Sequence, residues 1–343
     1  MIRPWLFEFF PELTRAGGVA PASDVGRYFE RYLRLWTQDE ALGFEGIFFS
    51  EHHFARSFSP SPHLLIAALA GRTRKLRLGV MGTVLPYHHP ARVVEEIGML
   101  DHLTGGRLEI GTALGVPQEL AKLDISMAEA RERYDEMVEI LDLALRDGVV
   151  SHRGKHFELT QLRLLPRPLQ QPSPPKWTAI MGADGARRAA RRGSKICTGF
   201  SATATVKTVF DAYREEARAA GFDAGPDSLA LRRRISLGAT LQEARGHAAA
   251  AADRLGAMIA EDQRFGPRVP DAPVQSGAFT ISEDEFITGT PKDMAAAIIE
   301  QCRATGAGNF LTVLHWSAPI EEVERAHTLF GREVIPLLRS ASL

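Results

Sequence analysis

The sequence predicts an α/β protein built as a single (β/α)8 TIM barrel with insertions. Three observations carry that expectation. Eight short apolar runs alternate with amphipathic stretches from one end of the chain to the other. The runs are almost continuously apolar, as parallel strands buried on both faces must be. The chain has 343 residues, a normal size for one such barrel with insertions. A doubly wound open sheet would show the same alternation, so periodicity by itself leaves that alternative open.

The candidate strands, in order, are Trp5–Phe10, Gly46–Ser50, Leu76–Leu85, Leu108–Thr112, Lys176–Met181, Lys195–Thr198, Arg233–Ala239 and Asn309–His315. After the fourth run, Ser126 and Glu129 have the spacing of a capping box. Tyr134, Val138, Leu141 and Leu145 follow at helical spacing and are expected to face the barrel. Thr290, Pro291 and Asp293 mark another helix start, with Pro at the first helical position. The last helix is expected to close at Pro336. Two stretches break the beat. Residues 147–175 carry five prolines and read as an insertion before strand five. Residues 263–289 include Pro267, Pro270 and Pro273 and read as a mobile lid loop within one domain spanning 1–343.

Composition narrows the function class. Hydrophobic residues make up 45% and charged residues 24%, the balance of a globular enzyme. Forty-one basic residues face 42 acidic ones, which gives no electrostatic footprint for nucleic acid. Cys197 and Cys302 are too few for a disulfide scaffold, so a reducing cytoplasm is expected. No signal peptide and no membrane span are visible in the sequence.

In a barrel the strand C-termini point into the active site. Ser50, Glu51, His52 and His53 end the second run. A histidine there can move protons near neutral pH, with Glu51 holding an imidazole in one tautomer. The alternative is a pair of structural histidines. A metal reading through Glu51, His52, His53, His88 and His89 also exists, but neither helical HExxH spacing nor a cysteine supports it, and no metal is expected.

Glu51-His52-His53-Phe54, Gly79-Val80-Met81-Gly82-Thr83-Val84-Leu85-Pro86 and Asp101-His102-Leu103-Thr104-Gly105-Gly106-Arg107-Leu108 together resemble the bacterial luciferase-like flavin monooxygenases. The similarity covers nearly the whole chain in order and is most specific over residues 46–111. It implies that His52 is catalytic beside a flavin. It implies that Met81 and Gly82 form a bulge under the isoalloxazine ring, often with a non-prolyl cis peptide. It places Thr112 at the flavin, Arg131 at the phosphate, and the phosphate itself over the turn Met181-Gly182-Ala183-Asp184-Gly185, where free backbone amides at a helix start make an anion site. Arg131 would otherwise read as a surface helix residue, off the Tyr134 face. Asp184 would cap the helix, and Arg187, Arg188, Arg191 and Arg192 offset its charge or form a solvated face.

The chain departs from the family after strand four. Luciferase has a reactive Cys and then a phosphate-binding Arg there; this sequence has Ala113 and Leu114.

The resemblance implies a two-component monooxygenase of the flavin-dependent oxygenase class. Reduced FMN would come from a separate flavin reductase, dioxygen would add at flavin C4a, and the peroxyflavin would oxygenate a small organic substrate. A homodimer is expected. The alternatives are an F420-dependent oxidoreductase of the same superfamily and a non-catalytic flavin-binding protein.

Overall fold

The structure, a computed structural model, describes residues 1–15, 18–222, 224–265 and 284–342. Eight parallel strands close into a barrel. They are β1 (Arg3–Glu8), β2 (Gly46–Phe49), β3 (Arg77–Val80), β4 (Leu108–Ala113), β5 (Lys176–Ile180), β6 (Lys195–Thr198), β7 (Leu229–Leu237) and β8 (Asn309–Leu314). Each pairs with its sequence neighbour, and β8 returns to β1 with Arg3 opposite Asn309.

Helices cover the outside: α1 (Ala22–Leu42), α2 (Pro62–Ala70), α3 (Pro90–Thr104), α4 (Met127–Asp147), α5 (Ala183–Arg191), α6 (Thr203–Ala219), α7 (Leu241–Phe265), α8 (Pro291–Thr305) and α9 (Ile320–Leu329). The Ser126 side chain accepts from the Glu129 amide at the start of α4. At the start of α8, Asp293 accepts from both the amide and the hydroxyl of Thr290. Among the described residues no helix is long and apolar enough to cross a membrane.

The strands are mostly apolar, and their two faces differ. Trp5, Phe7, Phe48, Trp177, Cys197, Ala230, Leu311 and Val313 pack together inside the barrel. Leu6, Ile47, Phe49, Leu78, Ile196, Leu231 and Phe310 pack outward against the helices, as the period-2 alternation of strands requires. Trp5 stacks on Phe48 at 4.9 Å, and Trp177 meets Phe48 edge-on at 5.6 Å. Gly79 leaves room for this packing, since a Cβ there would sit 2.6 Å from the Phe48 ring.

Several expected boundaries move. The third run is not one strand: β3 ends at Val80, the peptide between Met81 and Gly82 is cis, and pairing resumes at Thr83–Val84 against Thr112–Ala113. β1 stops at Glu8, and Phe10 takes a positive φ of 45°. β7 begins at Leu229, four residues before the expected start at Arg233, because Ala230 and Leu231 already fill the two buried layers.

Residues 147–175 contain an antiparallel hairpin, Val149–Arg153 with Glu158–Arg163, then run to β5 with Val150, Leu159 and Leu164 buried. Of residues 263–289, 263–265 end α7 and Phe286–Gly289 form a strand beside β7; 266–283, the heart of the expected lid, lie outside the described residues. Pro336 does not close the last helix. A π-turn at Phe330–Val334 precedes it, and Pro336 sits in the first turn of Ile335–Ser340, where a missing amide costs little. Both cysteines are free and buried.

Candidate active site

A cavity of about 830 Å³ opens at the C-terminal ends of the strands, within the range of small-molecule sites. Its wall draws on β1 through β5, α4, the start of α5, and β7. The loops after parallel strands meet there because every strand runs the same way.

His52 follows β2 and lines this cavity. Its Nδ1 lies 2.8 Å from Oε1 of Glu119, and its ring stacks on Phe9 at 5.7 Å. Glu119 is buried on the short helix Pro117–Ala121 and also accepts from the His53 amide at 3.0 Å. An ionised carboxylate only accepts, so it places the imidazole proton on Nδ1. The Nε2 lone pair is then left without a protein partner among the described residues. The pair therefore has the form of a carboxylate-oriented base.

Glu51 pairs with the imidazoles of His53 and His88, not with that of His52. It accepts from His53 Nε2 at 3.0 Å, His88 Nε2 at 2.8 Å and the Val84 amide at 3.1 Å. Adjacent residues on this loop point apart, so Glu51 reaches the β3 loop while His52 reaches the β4 loop. Burial would push the Glu51 carboxyl up; the two imidazoles and the amide outweigh it and hold it at about 2.

Burial lowers the His88 pKa, but its hydrogen bond and charge pairing with Glu51 outweigh this and leave it raised above 6.5. A raised histidine contributes stability that is full below its unfolded pKa and fades as pH rises through the folded value. The stability gap between wild type and His88→Gln should therefore narrow as pH rises through and above the ordinary histidine range, read as Tm. A gap that widens with pH would refute the ion pair.

The five groups weighed for a metal do not converge as ligands. Glu51 already satisfies His53 and His88, His52 turns to Glu119, and His89 packs on Phe157 at 5.9 Å. Elsewhere His247, His315 and Glu322 cluster. There His315 Nε2 accepts from the Leu237 amide at 2.9 Å, so its Nδ1 proton goes to Glu322 at 2.7 Å and no imidazole lone pair of His315 remains.

Met81 and Gly82 form the cavity floor beside β4. A Cβ on Gly82 would lie 2.5 Å from the Thr112 backbone, so only glycine allows this approach. The Thr112 hydroxyl pairs with the Tyr134 hydroxyl at 2.9 Å. Arg131 lies over the Tyr134 ring at 5.4 Å and lines the cavity. It therefore shares the inward face that the helical spacing seemed to deny it.

Across from Arg131, α5 begins at Gly182 with no side-chain cap, so its first amides are open to a ligand. Gly182 has nothing within 4 Å of a Cβ position, and Met181 is 75% exposed. Asp184 does not cap the helix. It sits in the first turn at the cavity rim and pairs with Arg187. Arg191 turns away, to Glu216, while Arg188 and Arg192 line the cavity.

The residues fit a flavin phosphate and ring on structural grounds. Uncapped amides at α5 and a guanidinium without an acidic partner among the described residues suit the anion. The buried Ser50 hydroxyl lines the cavity with no hydrogen-bond partner, so a bound polar edge can meet it. Ala113 and Leu114 line the wall and add no charge.

Sequence reading did not find Glu119 or Arg232. Glu119 lies 67 residues from His52, and a lone glutamate after a proline carries no local signal. Arg232 lies just ahead of the expected start of the seventh strand at Arg233, so the sequence reading left it outside the barrel.

A sequence model of luciferase-like monooxygenases matches residues 9–308. A Sinorhizobium fredii protein, y4wF, described as uncharacterized, is 36% identical over 89% of this chain and 89% of its own length. The oxygenase component of the flavin-dependent trigonelline monooxygenase of Acinetobacter baylyi is 32% identical, over 55% of this chain and 53% of that one. Among solved structures, monooxygenase RslO1 of Streptomyces bottropensis superposes with a TM-score of 0.83 at 28% identity, covering 98% of this chain and 99% of its own.

Proposed function

Since the chain belongs to the luciferase-like monooxygenase family, we propose that it is the oxygenase component of a two-component flavin-dependent monooxygenase. In this reading reduced FMN, delivered by a separate reductase, binds the barrel mouth and a small organic substrate receives one atom of dioxygen. The observation that carries it is the His52–Glu119 pair, set on an apolar cavity that also holds the Met81–Gly82 bulge and the uncapped start of α5. The flavin supplies the activation of dioxygen.

The protein's own residues bind, orient and exclude water. The α5 amides and Arg131 hold the phosphate. Gly82 and Thr112, whose backbones approach closely at the cavity wall, would contact the flavin ring. Phe7 and Phe9 keep the reacting side dry. His52 takes and returns a proton at Nε2, and Glu119 stabilises its charged form. Glu51 locks His53, His88 and the Val84 amide, so it acts as a positioning residue for the β2 and β3 loops.

The test is aerobic turnover with reductase-generated reduced FMN, isotopically heavy dioxygen and a panel of small organic substrates. One heavy oxygen atom in the product supports the reading. Oxygen-independent hydride transfer with reduced F420 would replace it with the deazaflavin alternative. The absence of any turnover, with flavin still bound, would favour a binding protein.

Arg131→Ala should weaken reduced FMN about 10-fold or more, the size of a lost charge-assisted contact. It should weaken reduced riboflavin, which has no phosphate, far less. Anaerobic titration of both flavins checks this, and an equal loss for both would place Arg131 away from the phosphate.

A further inference from the structure

We propose that the β7 side of the cavity is an anion-binding subsite in which Arg232 holds an acidic group, a carboxylate or an ionised phenol or enol, of the substrate to be oxygenated. The proposal rests on the monooxygenase reading above and adds the substrate's chemical class.

β7 carries three consecutive arginines, and strand alternation sends them to different places. Arg233 points outward and is fully satisfied: its Nε donates to Gln301 at 2.7 Å and its Nη2 to Thr203 at 3.1 Å. Arg232 points into the barrel. Its guanidinium lies between the rings of Phe7 and Phe200, at 4.3 and 4.4 Å, and lines the cavity. Its buried Nε has no hydrogen-bond partner.

No carboxylate among the described residues pairs with Arg232. The titratable neighbour that acts on it is Cys197, which burial pushes up to about 11, so near neutral pH it is an uncharged thiol. Arg234, inward on the same strand, lies 3.7 Å from Phe200 and adds a second cation rather than a counter-charge. An arginine stays charged in a protein, and an unpaired buried charge is costly unless something meets it. The two aromatic faces offset part of that cost. An anion entering the cavity would complete the site, and the planar guanidinium fork matches a carboxylate.

The position fits a substrate better than the flavin phosphate. Arg131 and the start of α5 belong to the β4–β5 side, whereas Arg232 stands on β7. From Arg232 the aromatic wall runs through Phe200 to Phe9, 6.4 Å apart, and from Phe9 to the His52 ring at 5.7 Å. Trp316 closes the same wall at 5.8 Å from Phe9. A planar acid seated on Arg232 would lie along these rings with its far end toward His52.

The test compares acids with their neutral amides: benzoate with benzamide and naphthoate with naphthamide, by calorimetric titration. Wild-type protein should bind at least one acid about 10-fold or more tighter than its amide. Arg232→Met should erase that preference by weakening the acid, leaving the amide and reduced FMN unchanged, while Arg232→Lys should keep part of it. Wild-type protein that binds neither acid, or binds acid and amide equally, overturns the proposal without needing a variant. So does a preference that survives Arg232→Met. A loss of reduced FMN affinity in Arg232→Met equal to the loss of acid would assign the arginine to the cofactor and also overturn it. Failure of wild-type protein to bind reduced FMN, with the acid preference intact, would remove the monooxygenase reading and leave the anion subsite standing.

Discussion

His52→Ala lowers product formation by about 10²–10⁴-fold, the usual contribution of a positioned acid–base group, while thermal stability and reduced-flavin affinity stay near wild type. The ring lies at the cavity wall rather than in the core, with its side chain 27% exposed, so its removal leaves little unsatisfied except Glu119. Glu119→Gln should cost less, roughly 10–100-fold, because a neutral amide can still contact Nδ1 but no longer stabilises the charged imidazole. The measurement is single-turnover product yield under saturating reduced FMN. Unchanged yield in His52→Ala would remove the residue from the mechanism. An equal, complete loss in both variants with unfolded protein would show a structural role instead.

Trp177→Ala should destabilise the barrel by about 3–5 kcal/mol, the range for deleting a large buried aromatic. Trp177 is 1% exposed and meets Trp5 and Phe48 edge-on. Its Nε1 donates to the buried Glu109 at 2.6 Å, and its carbonyl accepts from Thr112 at 3.4 Å. Removing the ring opens a void between three strands and leaves a buried carboxylate with one donor fewer. The shift in urea midpoint measures the effect. A loss below about 1 kcal/mol would mean that the interior collapses around the gap.

The barrel was legible because each parallel strand is apolar on both faces and each βα unit repeats the pattern, so local composition carried the class. Seven of the eight runs begin within two residues of the observed strands. β7 did not: the expected start at Arg233 left Arg232 outside the strand, and only closure shows Arg233 satisfied outside and Arg232 and Arg234 stacked on rings inside. Pro336 misled for a related reason: its effect depends on the π-turn before it, which spacing alone does not reveal.

The site divides along the same line. Motif resemblance led to His52, Met81, Gly82, Thr112, Arg131 and the turn at Met181–Gly185, and all of these line one cavity. Partner choice was not legible. The sequence left open which imidazole Glu51 would hold; successive side chains leave the chain on opposite sides, so it meets His53 and His88 while His52 meets Glu119.

By itself the sequence determined the strand–helix order, the apolar strands and the residue types at the mouth, since these depend on local pattern. Tertiary structure alone decided which face of each strand turned inward, which carboxylate met His52, and which arginine was left without an acidic partner beside the cavity. Those outcomes depend on barrel closure, which sets the register between strands and brings together groups 67 residues apart, such as His52 and Glu119.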